Sequence, residues 1–145
     1  MPRTRNPAPF LACLLLILLA GATPLAAATL DQIRTSGMFR LGYRADAKPY
    51  SYRDAGGQPA GYIVDICHEV AQKLIFDMRA PIQIAHVLVT ASERFEAVSS
   101  RKVDMLCDQT TNTIPQIKSG KVRALAVTSP KRLDSLPDLP TMAES

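Results

Sequence analysis

Between positions 38 and 127 the apolar residues switch from every second position to every third or fourth, and back again. This alternation constrains the fold more than any other feature of the chain. In residues 38–43, Phe39, Leu41 and Tyr43 share one face, as the two-residue period of a strand requires. Residues 50–53 and 60–62 flank Asp54-Ala55-Gly56-Gly57, a hairpin-type turn signal. Residues 63–75 then change period: Ile63, Ile66, Cys67, Val70, Ala71 and Leu74 make a continuous apolar helical stripe, opposite Asp65, His68, Glu69, Gln72 and Lys73. Residues 82–89 are rich in β-branched side chains and predict a strand. Thr90 with Glu93 three residues later fits a capping box and predicts a helix over 91–98. Further strands are expected at 103–106 and 122–127, with a short helix at 114–119 between them. Pro130, Pro137 and Pro140 predict a loop-like tail. A short helix over 29–36, stopped by Gly37, precedes the first strand. Alternation of this kind predicts an α/β fold with a mainly parallel sheet and flanking helices.

The first 28 residues read as a segment apart. Arg3 and Arg5 precede an apolar run over 10–20, and Ala26-Ala27-Ala28 offers a small-residue cleavage site, the layout of a secretory signal peptide. The run is short for a membrane span, which takes about 20 residues; an uncleaved anchor is the other reading. Export predicts a periplasmic protein of residues 29–145, one domain in size. Without Arg3 and Arg5 the 17 basic side chains fall to 15 against 13 acidic, a net charge of only +2. With no basic run or basic–aromatic interleaving, nucleic acid is excluded as a partner. Cys13 leaves with the leader, so Cys67 and Cys107 remain in an oxidising compartment. They are a candidate disulfide, or alternatively two small buried apolar residues.

In parallel α/β sheets, ligands sit beyond the carboxyl ends of the strands. Three loops occupy those ends here, beginning at Arg44, Thr90 and Cys107. Arg94, in the first turn of the expected helix, could hold a carboxylate in bidentate fashion, beside Thr90 and the helix N-terminus. Arg44 supplies a second cation, Thr110 and Thr111 supply hydroxyls, and Tyr50 and Tyr52 supply a wall with polar tips. Together they predict a site for a small carboxylate. Each also has a plainer role as surface charge, cap, strand end or packing residue. His68 and His86 lack metal-ligand spacing, and no nucleophile–base constellation is present, so no metal, cofactor or enzymatic activity is expected.

Two stretches, "TLDQIRTSGMFRLGYRADAKPYSYRDAGGQPAGYIVDICHEVAQKL" and "VLVTASERFEAVSSRKVDMLC", resemble lobe 1 of the family 3 extracellular solute-binding proteins of amino-acid ABC transporters, over residues 29–104. The resemblance implies that Arg94 holds the ligand α-carboxylate and that Arg44 matches an arginine of the acidic-amino-acid subgroup. That family more usually carries Gly-Ser or Gly-Ala at Asp108-Gln109. From 103 to 145, "CDQTTNT", "SGKVRALAVTSPKR" and "LPDLPTMAE" are instead similar to the Bug/TctC receptors of tripartite tricarboxylate transporters. The two resemblances imply a single incomplete lobe of a type II periplasmic binding protein, joined near residue 103. The expected function is capture of an amino acid or a di- or tricarboxylate for a membrane permease. The alternative is a truncated chimeric remnant that binds nothing.

Overall fold

The computed structural model describes residues 25–145. Residues 33–145 make one compact unit, and its boundary with residues 1–32 falls inside the first helix. Of the expected signal peptide, residues 1–24 lie outside the described residues. The small-residue triplet at 26–28 belongs to helix α1 (Leu25–Ser36), which therefore starts four residues ahead of the expected position. The elements that follow are β1 (Met38–Tyr43), β2 (Asp46–Ala47), β3 (Ser51–Arg53), β4 (Pro59–Ala60), α2 (Tyr62–Met78), β5 (Gln83–Leu88), α3 (Arg94–Ser99), β6 (Met105–Leu106) and α4 (Thr110–Lys118). None of the described helices is long and apolar enough to cross a membrane.

Strand β1 is central and pairs parallel with β5 on one side and β6 on the other, in the order β5-β1-β6. Phe39, Leu41 and Tyr43, the face read from the sequence, are all buried. Tyr43 stands opposite Leu88, and Gly42 opposite Leu106, so the three carboxyl ends lie along one edge. Asp104 helps fix that alignment. Its carboxylate accepts a 2.7 Å hydrogen bond from the Arg40 backbone N–H, and its own N–H donates to the Arg40 carbonyl at 2.8 Å. A separate antiparallel sheet, β2-β3-β4, follows β1. Its hairpin turn is closed by Asp54, whose Oδ1 accepts from the N–H groups of Gly56 and Gln58.

The core has two centres. Ile33, Phe39 and Ala71 form one, joined by Leu74, Ile75, Met78, Ile82 and Ile84, so the apolar stripe of α2 packs against β1 and β5. The stripe is centred on Val64, Cys67 and Ala71. Val89, Ala97 and Val103 form the second centre, which seats α3 beside the end of β5.

Three further expected elements differ. The helix expected over 91–98 begins only at Arg94, because residues 91–93 form a turn: the Thr90 hydroxyl accepts from the Glu93 N–H at 3.2 Å and meets the Glu93 carboxylate at 3.0 Å. The loop expected to carry Thr110 and Thr111 is instead the first turn of α4, which runs 110–118 rather than 114–119. Residues 122–127 form no strand; the β-contact there is an isolated bridge from Val127 to Thr141. A short apolar run does not make a strand where no neighbouring edge supplies the ladder. The proline-containing tail is held by that bridge and by Arg132, whose guanidinium pairs with Glu144 at 3.1 Å.

Candidate functional site

The edge where β1 and β6 end carries a cleft. Leu41, Gly42 and Tyr43 of β1, Ile63, Val64 and Cys67 of α2, and Leu106 through Gln109 line it, together with Arg44, Ala47, Tyr50 and Ser51. Its floor is therefore apolar, and its polar groups come from the loop after β1 and from Asp108. The free volume is about 30 Å³. Pockets that enclose small ligands run to roughly 300–1,000 Å³, so this surface forms a wall rather than an enclosure.

The wall is rigidly built. Cys67, on the buried face of α2, and Cys107, directly after β6, are joined by a disulfide with Cα atoms 6.2 Å apart, inside the ordinary range for such a bond. The Ser51 hydroxyl is buried and accepts from the Arg44 N–H at 2.9 Å while donating to the Arg44 carbonyl at 2.7 Å. The Tyr50 carbonyl accepts from the Ile63 N–H at 2.9 Å, tying the hairpin to the first turn of α2. That closeness requires glycine at position 61. A Cβ there would lie 2.5 Å from the Tyr50 carbonyl oxygen, and φ is +119°.

Charge on the cleft is arranged as two pairs. Arg44 donates from Nε to Asp46 Oδ1 at 3.0 Å. The hydrogen bond to Asp46 raises the Arg44 pKa above its ordinary value, with a smaller contribution from the charge of Asp108. The same bond holds the Asp46 carboxyl below its usual range, and Arg94 adds to the effect. The second pair is Arg94 with Asp108. The Arg94 Nε donates to Asp108 Oδ2, and its Nη1 donates to the Ala91 carbonyl. Both side chains are 8% exposed. The Arg94 guanidinium also stacks on the Phe95 ring at 4.6 Å. Asp108 Oδ1 accepts from the Gln109 N–H at 2.8 Å.

Arg44 and Arg94 thus both act on Asp108, and both belong to the same rim. They are not equally presented. Arg44, Tyr50 and Asp108 line the cleft, whereas Arg94 lies outside the lining, on the other side of its ion pair with Asp108. Tyr52 is not among the lining residues and carries the Lys48 ammonium 4.9 Å from its ring centroid. Thr90 is engaged in its own turn, and Thr110 and Thr111 lie exposed on the first turn of α4; none of the three lines the cleft. The six-residue α3 is too short to provide the extended dipole expected beside Arg94. Ser51, Asp46 and Asp108 are the residues that the sequence did not single out for the site. The signal for Asp46 was its place two residues after Arg44, and for Asp108 its place directly after Cys107.

His68 and His86 also meet, although the sequence placed His68 on the solvent side of its helix. Their rings stack with centroids 5.4 Å apart, and Tyr43 approaches His86 edge-on at 6.3 Å. Among the described residues no cluster of three or more metal-ligating side chains is present.

The family described as bacterial extracellular solute-binding proteins, family 3, matches residues 39–122, which carries the likeness past position 104. The general L-amino acid-binding periplasmic protein AapJ of Rhizobium johnstonii is 33% identical over 98 residues, covering 68% of this chain and 28% of that protein. The putative amino-acid ABC transporter-binding protein YhdW of Escherichia coli K12 is 38% identical over 88 residues, covering 61% and 25%. A UPF0065 protein of Agrobacterium vitis, from the TAR-I ttuE-ttuC' intergenic region, is 56% identical over 43 residues, covering 30% and 12%. A crystal structure of a mutant ArgBP from T. maritima superposes with a TM-score of 0.51 at 22% identity, covering 68% of this chain and 39% of that one. The chain thus spans about a quarter of the length of the two amino-acid-binding relatives.

Proposed function

The chain belongs to the bacterial extracellular solute-binding proteins of family 3 and has the α/β fold of part of a type II periplasmic binding-protein lobe, and on that premise we propose that it is a periplasmic amino-acid-binding component of an ABC transporter. The observation that carries this reading is the convergence of two parallel strand ends, those of β1 and β6, on one cleft with a cation at its mouth. In it, Arg44 meets the ligand carboxylate and Tyr50 covers the ligand's apolar part. Arg94 stands behind Asp108 as a second cation. Tyr52, Thr90, Thr110 and Thr111 make no ligand contact in this reading. A membrane permease is the partner that a binding component of this kind delivers to.

An amino acid is favoured over a di- or tricarboxylate because Arg94 is buried against Asp108, whereas Arg44, paired through Nε alone with the exposed Asp46, keeps its remaining N–H donors for one carboxylate. A wall without an enclosure predicts weak binding, of the order of 1 mM, equivalent to about −4 kcal/mol. The test is calorimetric titration of the whole chain with L-glutamate, L-aspartate and citrate. Saturable heat with an amino acid, weakened about tenfold or more by R44A, is the expected result. Absence of heat with all three would favour the second reading, a remnant that holds no ligand, which the small cleft volume supports.

The tail has a proposal of its own: residues 103–145 descend from a Bug/TctC-type parent. The stretches "CDQTTNT", "SGKVRALAVTSPKR" and "LPDLPTMAE" support it. The family 3 match running to residue 122 weighs against a sharp join at 103. Sequencing genomic DNA across codons 102–113 tests it, with one uninterrupted reading frame expected and an assembly error there fatal to it.

A further inference from the structure

Arg94 is the most completely satisfied cation of the described residues near the cleft, and a carboxylate of the chain itself satisfies it. A guanidinium offers a rigid planar fork of N–H donors matched to a carboxylate. Here two donors of that fork are engaged, Nε on Asp108 and Nη1 on the Ala91 carbonyl, and the guanidinium lies over the Phe95 ring. The Asp108 carboxylate is spent too, on Arg94 through Oδ2 and on the Gln109 N–H through Oδ1. Asp108 is the member of the pair that borders the cleft. It lies two residues after β6, next to the disulfide at Cys107, so its backbone is held at this spot.

We propose that Asp108 is a specificity-determining residue, an internal carboxylate that occupies Arg94 in place of a ligand's and so restricts the cleft to ligands that Arg44 can hold alone. The inference rests on the carboxylate-binding reading above. Because the Arg94 side chain is 8% exposed and Asp108 is the partner that borders the cleft, an incoming anion competes with Asp108 for Arg94, and that exchange breaks one charge-assisted contact to form another. The displaced carboxylate also adds negative charge to the cleft the ligand is entering. Net gain from Arg94 is therefore small while Asp108 is in place, and becomes available when the carboxylate is removed.

Two readouts test this on the whole chain. In the first, L-glutamate is titrated into wild type, D108S, R94A and the R94A/D108S double variant. D108S is expected to bind at least tenfold more tightly than wild type. R94A alone uncovers the Asp108 carboxylate beside the cleft and is expected to bind no more tightly than wild type, and in the double variant it is expected to cancel the gain of D108S. No gain in D108S, or a gain that survives undiminished in R94A/D108S, overturns the proposal. D108N, which removes the charge at nearly constant shape, gives the same comparison should the serine variant fold poorly. In the second readout, phenylglyoxal labelling is followed by peptide mass spectrometry. Arg94 is expected to be protected in wild type and labelled at least fivefold faster in D108S and D108N, while Arg44 labelling stays unchanged. Equal labelling of Arg94 with and without the carboxylate overturns the occlusion directly. If no variant binds glutamate but the labelling changes as expected, the amino-acid-binding reading fails while the masking of Arg94 by Asp108 stands.

Discussion

Replacing both Cys67 and Cys107 by alanine removes the one covalent cross-link between α2 and the end of β6. The two residues are 40 positions apart. In the chain-entropy account a loop of that length restricts the unfolded ensemble by about 4 kcal/mol. For a compact unit of this size, 1 kcal/mol corresponds to roughly 3–5 °C, so the melting temperature is expected to fall by about 15 °C. Cys67 is 2% exposed, so alanine also leaves a small void there, and the loss falls at or above the entropic figure. The assay is urea denaturation followed by circular dichroism, for the oxidised protein, the protein held in dithiothreitol, and C67A/C107A. Reduced and doubly substituted proteins are expected to share a midpoint well below that of the oxidised form. Coincident curves for all three would refute the reasoning, because they would mean that the cross-link does not constrain the unfolded chain.

Two further outcomes follow from local geometry. G61A places a methyl group against the Tyr50 carbonyl at a backbone angle that side chains rarely adopt; strain of that kind costs about 1–3 kcal/mol, and an unchanged urea midpoint would contradict the close approach of the hairpin to α2. Burial, and next the nearby charge of His68, lowers the pKa of His86 below 6.5 in the folded protein. The unfolded chain therefore binds the proton more readily, so stability from this group is complete above about pH 6.5 and declines as pH falls through the lowered folded value. Denaturation midpoints between pH 7 and 5 are expected to fall more steeply in wild type than in H86N, and parallel slopes would remove His86 as the cause.

The parallel sheet, the hairpin and α2 were legible because each rests on a local pattern. Phe39, Leu41 and Tyr43 alternate, Asp54 with the glycines encodes its turn, and Cys67 and Ala71 lie on one stripe that finds β1. The shared rim was legible too, since three loops after three parallel strands must emerge on one side. What could not be read was pairing across space. Arg94 and Asp108 are fourteen positions apart, and nothing in their spacing says that one will neutralise the other. The stack of His68 on His86 depends likewise on where α2 crosses β5. Helix starts at Arg94 and Thr110 were misplaced because competing side-chain bonds, such as that from the Glu93 N–H to Thr90, decide the first turn. Residues 122–127 are a short apolar run without a partner strand.

The double hydrogen bond between Ser51 and the backbone of Arg44 has a thermodynamic consequence for recognition. It pins both peptide groups of that arginine to the neighbouring strand before any solute arrives. Only the torsions of the long side chain remain to be frozen when an anion docks, so the ordering penalty is confined to a few rotors. The cation stands on a fixed pedestal, and a loop that would otherwise have to settle is already at rest.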